Sequence, residues 1–193
     1  VTDRQLKARL QAHFRLDEAR AEALMAAYRK DGASRSAADI LAYLSSDVLA
    51  RGPLVQAAEA KAKAGAAPVY LYHFDWKIPV DGGVWRSPHA VDIPFAFGTV
   101  DQARAMTGDG PGPMEVSRNL MSAFVAFARS GKPDNARMPP WRPYDAVSRP
   151  TMVVDESCRL VNDYHANDRI ASGPLLGEDP STFLRGALFR YSE

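Results

Sequence analysis

The sequence predicts an α/β chain, rich in helix and poor in strand, that is incomplete as an independent domain. Three observations carry this. Apolar residues recur at helical spacing through most of residues 2–64 and again over 114–130. The run Pro68-Val69-Tyr70-Leu71-Tyr72-His73-Phe74 is β-branched and aromatic, too short for a typical helix, and reads as a strand buried on both faces, as in parallel sheets. Only Thr151–Asp155 and the short Arg159-Leu160-Val161 read as further strands. A parallel-type strand needs neighbours for its backbone groups, so the remaining strands of its sheet are expected on sequence outside this chain.

Taken in order, Leu6, Leu10 and Phe14 form a first helical stripe, repeated by Leu24, Met25 and Tyr28 after Asp17. Asp31-Gly32 ends that segment, and Ser36 or Asp39 caps a shorter helix carrying Ile40, Leu41 and Leu44. An Ala-rich helix follows from about Asp47 to Ala64, disturbed early by Gly52-Pro53 and stopped by Gly65. After the strand, residues 77–113 hold many Gly and Pro and read as a long loop. The strongest helix runs from about Met114 to Ser130, and Met121, Phe124 and Phe127 are expected in the core; Gly131 and Pro133 stop it. Pro139, Pro140, Trp141 and Pro143 mark an extended stretch, and Asp179-Pro180-Ser181 opens a C-terminal helix through Phe183, Leu184, Ala187 and Leu188.

Composition excludes several classes. Lys plus Arg is 24 against 23 for Asp plus Glu, a formal charge of +1 without basic runs, which gives no footprint for nucleic acid or an anionic membrane. Cys158 is the single cysteine, so neither an intrachain disulfide nor a cysteine zinc site can form, and one thiol leaves the compartment open. No apolar run reaches the length of a membrane span. The chain begins Val1-Thr2-Asp3-Arg4 with neither an initiator Met nor a signal segment, so Val1 is expected not to be the natural start.

The residues with chemical potential centre on Ser87-Pro88-His89-Ala90-Val91-Asp92-Ile93-Pro94-Phe95-Ala96-Phe97-Gly98. His89 stands on a Gly/Pro-rich loop between a strand and the largest helix. Imidazole is the side chain that titrates nearest neutrality, which suits a general base. Asp92, three residues on, reads by itself as a loop acid capping a turn. His73 reads as a strand histidine, and His13 and His165 as solvent-facing. A metal set of His73, His89 and Asp92 matches no zinc spacing, and no cofactor is expected. Trp76, Trp85, Phe95 and Phe97 are candidates for an apolar pocket or for ordinary packing. No G-x-S-x-G turn occurs: Ser34 has the leading glycine without the trailing one. The Gly108–Pro113 stretch carries prolines where a phosphate cradle needs N–H donors.

Five segments, in order, resemble the type-B carboxylesterases, the family that includes the cholinesterases. Ser45-Ser46-Asp47-Val48-Leu49-Ala50-Arg51-Gly52-Pro53 is similar to the family's S-D-x-x-F-x-x-P, with Leu49 and Ala50 departing from the usual aromatic. Ala67–Phe74 resembles P-V-Y-x-Y-x-F, and Ser87–Gly98 resembles G-A-x-H-x-x-E-L-P-Y-x-F-G. Phe124–Asn135 resembles W-x-x-F-A-R-x-G-x-P-N, and Pro140–Tyr144 resembles W-P-x-Y. Pro88, Ala90 and Asp92 depart from the family pattern around the histidine. Asp92 stands where the family commonly shows Glu, and the resemblance implies for it a supporting polar role near the histidine, not membership of the triad. That reading has equal standing with the plain loop acid.

The resemblance implies that residues 1–193 are the C-terminal part of a single α/β-hydrolase domain. It implies hydrolysis of small carboxylic esters through an acyl-enzyme, with His89 as the triad histidine. The serine and the acid would lie outside this chain, on an N-terminal part of the same polypeptide, and the chain alone is expected to be inactive. A non-catalytic cholinesterase-like binding module and an independent small helical binding domain are the alternatives.

Overall fold

The computed structural model describes residues 1–176. In chain order the elements are α1 (Asp3–Phe14), α2 (Glu18–Lys30), α3 (Ala37–Ser46), a π-helical turn (Asp47–Arg51), α4 (Gly52–Ala64) and β1 (Leu71–Phe74). There follow a 3₁₀ turn (Val80–Gly83), α5 (Asp92–Ala96), α6 (Arg104–Thr107), α7 (Pro111–Ser130), β2 (Pro150–Val154), β3 (Arg159–Asn162) and α8 (Ala166–Ser172), which ends in a short 3₁₀ turn (Gly173–Leu175). The expected helix at 179–188 lies outside the described residues.

The chain divides into two compact units. One comprises Val1–Ala57 with the segment that begins at His165; the other is Ala58–Tyr164. In the first, Leu6, Leu10, Ala21, Leu24, Met25, Tyr28, Ile40 and Leu44 form the core, as the stripes predict. Its helices begin at defined caps. Asp17 accepts from the Arg20 N–H, and Thr2 and Ser36 each form a capping box with the residue three positions on. Ser36 is therefore the cap and Asp39 its reciprocal partner. The Gly52-Pro53 disturbance is real: the helix widens to a π turn over Asp47–Arg51 before resuming. Gly52 is needed there, because a Cβ would stand 2.7 Å from both the Asp47 carbonyl oxygen and a Leu176 methyl.

The unit's polar side chains form a buried web that the sequence does not announce. Arg35 Nη1 donates to both Asp168 oxygens at 2.8 Å and to the Tyr28 carbonyl, and its guanidinium lies 3.9 Å over the Tyr43 ring. The Tyr28 hydroxyl donates to Asp47 Oδ2 at 2.6 Å, and Arg51 bridges Asp47 Oδ1 to the His165 carbonyl. His165, expected to face solvent, instead sits beside Arg35 Nη2 at 3.1 Å with its side chain only 14% exposed. A carboxylate as buried as Asp168 requires such a partner, and it draws the neighbouring imidazole in.

The second unit holds a three-stranded sheet in the order β1-β2-β3. β1 runs parallel to β2, with Leu71 opposite Thr151 and Phe74 opposite Val154, and β3 pairs antiparallel to β2. The fully buried strand is β2, not β1, which is half-buried throughout. The reason is topological. Among the described residues β1 has a partner on one side only, so its apolar run lies at an edge of the sheet. Against the sheet pack Val116, Leu120 and Ala123 of α7, with Phe95, Trp76 and Trp141.

Two further expectations about this unit are corrected. The 77–113 region is not a continuous loop: it holds a 3₁₀ turn, α5 and α6, and α7 starts at Pro111. Proline in a first helical turn lacks only an N–H that would have no partner there anyway. Phe124 and Phe127 are not core; they are 39% and 47% exposed, and Met121 is half-buried. The wide apolar face of α7 extends beyond the sheet described.

Candidate functional site

The site is built on the carboxyl end of β1, where an open parallel sheet offers its ligand crevice. The chain leaves β1 at Phe74, turns through 80–86, and returns: Ser87 Oγ donates to the Phe74 carbonyl at 3.1 Å. Ile78 N–H to the Arg86 carbonyl at 2.9 Å closes the base of this loop. The turn Pro88-His89-Ala90-Val91 follows, closed by the Val91 N–H to the Pro88 carbonyl at 3.2 Å. Its third residue, Ala90, has φ +66°, a conformation that glycine adopts without steric cost.

His89 therefore sits on a tight turn two residues from the anchor on β1, and it is exposed. Among the described residues no hydrogen bond, ion pair or ring contact engages its imidazole.

Asp92 opens α5, and its Oδ2 accepts the Tyr72 hydroxyl at 2.9 Å. Burial and the adjoining carboxylate raise the Tyr72 phenol well above its usual range, so Tyr72 donates at any working pH. The turn that carries His89 is thus clamped at both ends to β1, by Ser87 before it and by Asp92 after it. The Tyr72 half of that clamp has a sequence signal only in hindsight. Tyr70, Tyr72 and Phe74 share one strand face, and that face meets α5 and α7 through ring contacts to Phe127, Phe124 and Phe95.

The other candidates separate clearly. Phe95 and Trp76 are core, and the Trp76 indole N–H donates to the Thr107 carbonyl. Trp85 and Phe97 are 55% and 77% exposed. His73 stacks at 5.1 Å on Tyr164, and His13 is exposed. Cys158 lies half-buried between β2 and β3, and burial pushes its thiol up, away from reactivity. Among the described residues no three His, Cys, Asp or Glu side chains gather as a metal-ligand set, so His73, His89 and Asp92 do not converge. Among those residues, too, no helix is long and apolar enough to cross a membrane.

Comparison with known proteins decides the family. The profile of the carboxylesterase family matches residues 2–171. The chain belongs to the carboxylesterase family. Among curated carboxylesterase relatives, the para-nitrobenzyl esterase of Bacillus subtilis (strain 168) is 31% identical over 140 residues, covering 70% of this chain and 27% of that protein. The phenmedipham hydrolase of Pseudarthrobacter oxydans is 31% identical over 117 residues, covering 56% and 23%. Among solved structures, an esterase from anaerobic Clostridium hathewayi superposes with a TM-score of 0.69 at 22% identity, covering 89% of this chain and 32% of that one. The fold is thus that of an α/β-hydrolase carboxylesterase, in part: the chain spans about a quarter of the length of the curated relatives it matches.

Proposed function

We propose that this chain is the histidine-bearing C-terminal part of a single-domain carboxylesterase. It would contribute to hydrolysis of small carboxylic esters through a covalent acyl-enzyme. His89 is the general base that takes the proton of a serine and returns it to the leaving alcohol. The serine and the triad acid belong to an N-terminal part of the same polypeptide. The chain by itself, having no nucleophile turn, does not turn over esters.

The observation that carries this reading is the clamp on the His89 turn. The Ser87 and Tyr72–Asp92 hydrogen bonds hold an exposed imidazole at the carboxyl end of an edge strand. Two features of the same edge support it. β1 is parallel to its neighbour, yet among the described residues has no strand on its other side. Next to that open side, Phe124 and Phe127 rest on Tyr72 and Tyr70 and remain exposed. An apolar helix face beside an unpaired parallel strand is what remains when further strands are taken away.

The test is kinetic. In a polypeptide that carries the upstream sequence, His89→Gln should lower kcat for a small ester roughly 10⁴-fold or more while leaving the melting temperature unchanged. Wild-type turnover in that variant would refute the assignment.

A further inference from the structure

The face of α7 turned away from the sheet carries a second, unrelated feature. Arg118, Met121, Ser122, Val125, Ala126 and Arg129 recur at helical spacing, and with Arg137 they line a groove of about 420 Å³. It is shallow and open to solvent, its lining mostly apolar, and three of its seven residues carry guanidinium groups. At one end Arg118 and Arg137 are held in place by Glu115, at 2.8 and 2.6 Å, and Arg137 Nε also donates to Asn119 Oδ1. At the other end Arg129 makes no ion pair among the described residues. One carboxylate thus faces three cations, and the surplus positive charge lies along an apolar strip about 16 Å long, the rise over the residues from Arg118 to Arg129. Apolar lining and unbalanced guanidinium are the two halves of a recognition element for an anion with a hydrocarbon tail.

We infer that this groove binds an amphiphilic carboxylate, its head on Arg129 and its tail along Val125, Ala126 and Met121. The inference is independent of the ester-hydrolysis reading, since none of these residues belongs to the His89 turn. The 193-residue chain, isotopically labelled, would be titrated with octanoate, octan-1-ol and octyltrimethylammonium while backbone amide shifts are followed. Saturable octanoate shifts confined to residues 118–129 and 137 are expected, with little response to the neutral or cationic analogue. Arg129→Gln should weaken octanoate about tenfold. Arg129 also complements the C-terminal end of its helix, so Arg129→Lys, which keeps that charge, is the control, and it should restore most of the binding. Octanoate binding that is absent, is matched by octanol, survives Arg129→Gln, or maps to Phe97, Phe124 and Phe127 would overturn the proposal.

Discussion

Ala90 follows the candidate base directly and holds φ +66°, the left-handed region in which a Cβ crowds the backbone. Arg86 and Asp81, in the same loop, share this conformation. Such strain persists only where surrounding contacts over-determine it, here the bonds to Phe74 and from Tyr72. Ala90→Gly should therefore stabilise the chain by about 0.5–1 kcal/mol in urea unfolding; a loss of stability would show that the turn is not strained. A second residue sets a pH dependence. Burial works against the charged form of Asp31, but the Asn167 side chain and the Asp168 N–H outweigh it and lower its pKa. A carboxyl lowered on folding stabilises above its unfolded value and loses that contribution as pH falls through its folded one. Asp31→Asn should thus cost more stability at pH 7 than at pH 3, measured by denaturant unfolding. An equal cost at both would contradict the account.

At the scale of elements, α7 carries one wide apolar face whose parts differ in burial. Leu120 is fully buried against the sheet, so Leu120→Ala should cost about 2–5 kcal/mol. Phe124 is nearly two-fifths exposed, so Phe124→Ala should cost less than half as much in this chain, read from the same unfolding curves. Equal costs would mean that Phe124 is core after all, as its spacing suggests. This helix also shows what a sequence can and cannot disclose. Periodicity and breaks were legible: the stripes of α1 to α3, the Gly52-Pro53 break, the two short strands after residue 150 and the placing of His89 after a strand and before the largest helix can be read from local residue types. What periodicity cannot say is whether the surface an apolar face would cover is part of the same chain. β1, Phe124 and Phe127 read as buried; among the described residues β1 lies at an edge of the sheet and both rings stay partly exposed. Pairings that span the chain were likewise invisible. Arg35 with Asp168 is 133 residues apart, and the enclosure of His165 follows from it. The Tyr72–Asp92 bond, 20 residues apart, left only the alternation of aromatic residues on β1 as a trace.

For the whole molecule, two cores, one helical and one built on a short mixed sheet, explain why the chain adopts defined structure while an edge strand stays unpaired. On the reading proposed above, the open side of β1 is where the strands that bring the other two triad groups would join. The central claim is that one imidazole here serves a hydroxyl carried elsewhere on the polypeptide. A serine-directed organophosphate probe tests it most directly, by mass spectrometry of the intact protein. The polypeptide with its upstream sequence should take up one label per chain, its His89→Gln variant should label orders of magnitude more slowly, and the 193-residue chain should take up none. Stoichiometric labelling of the 193-residue chain, or wild-type labelling of the His89→Gln variant, would contradict the account.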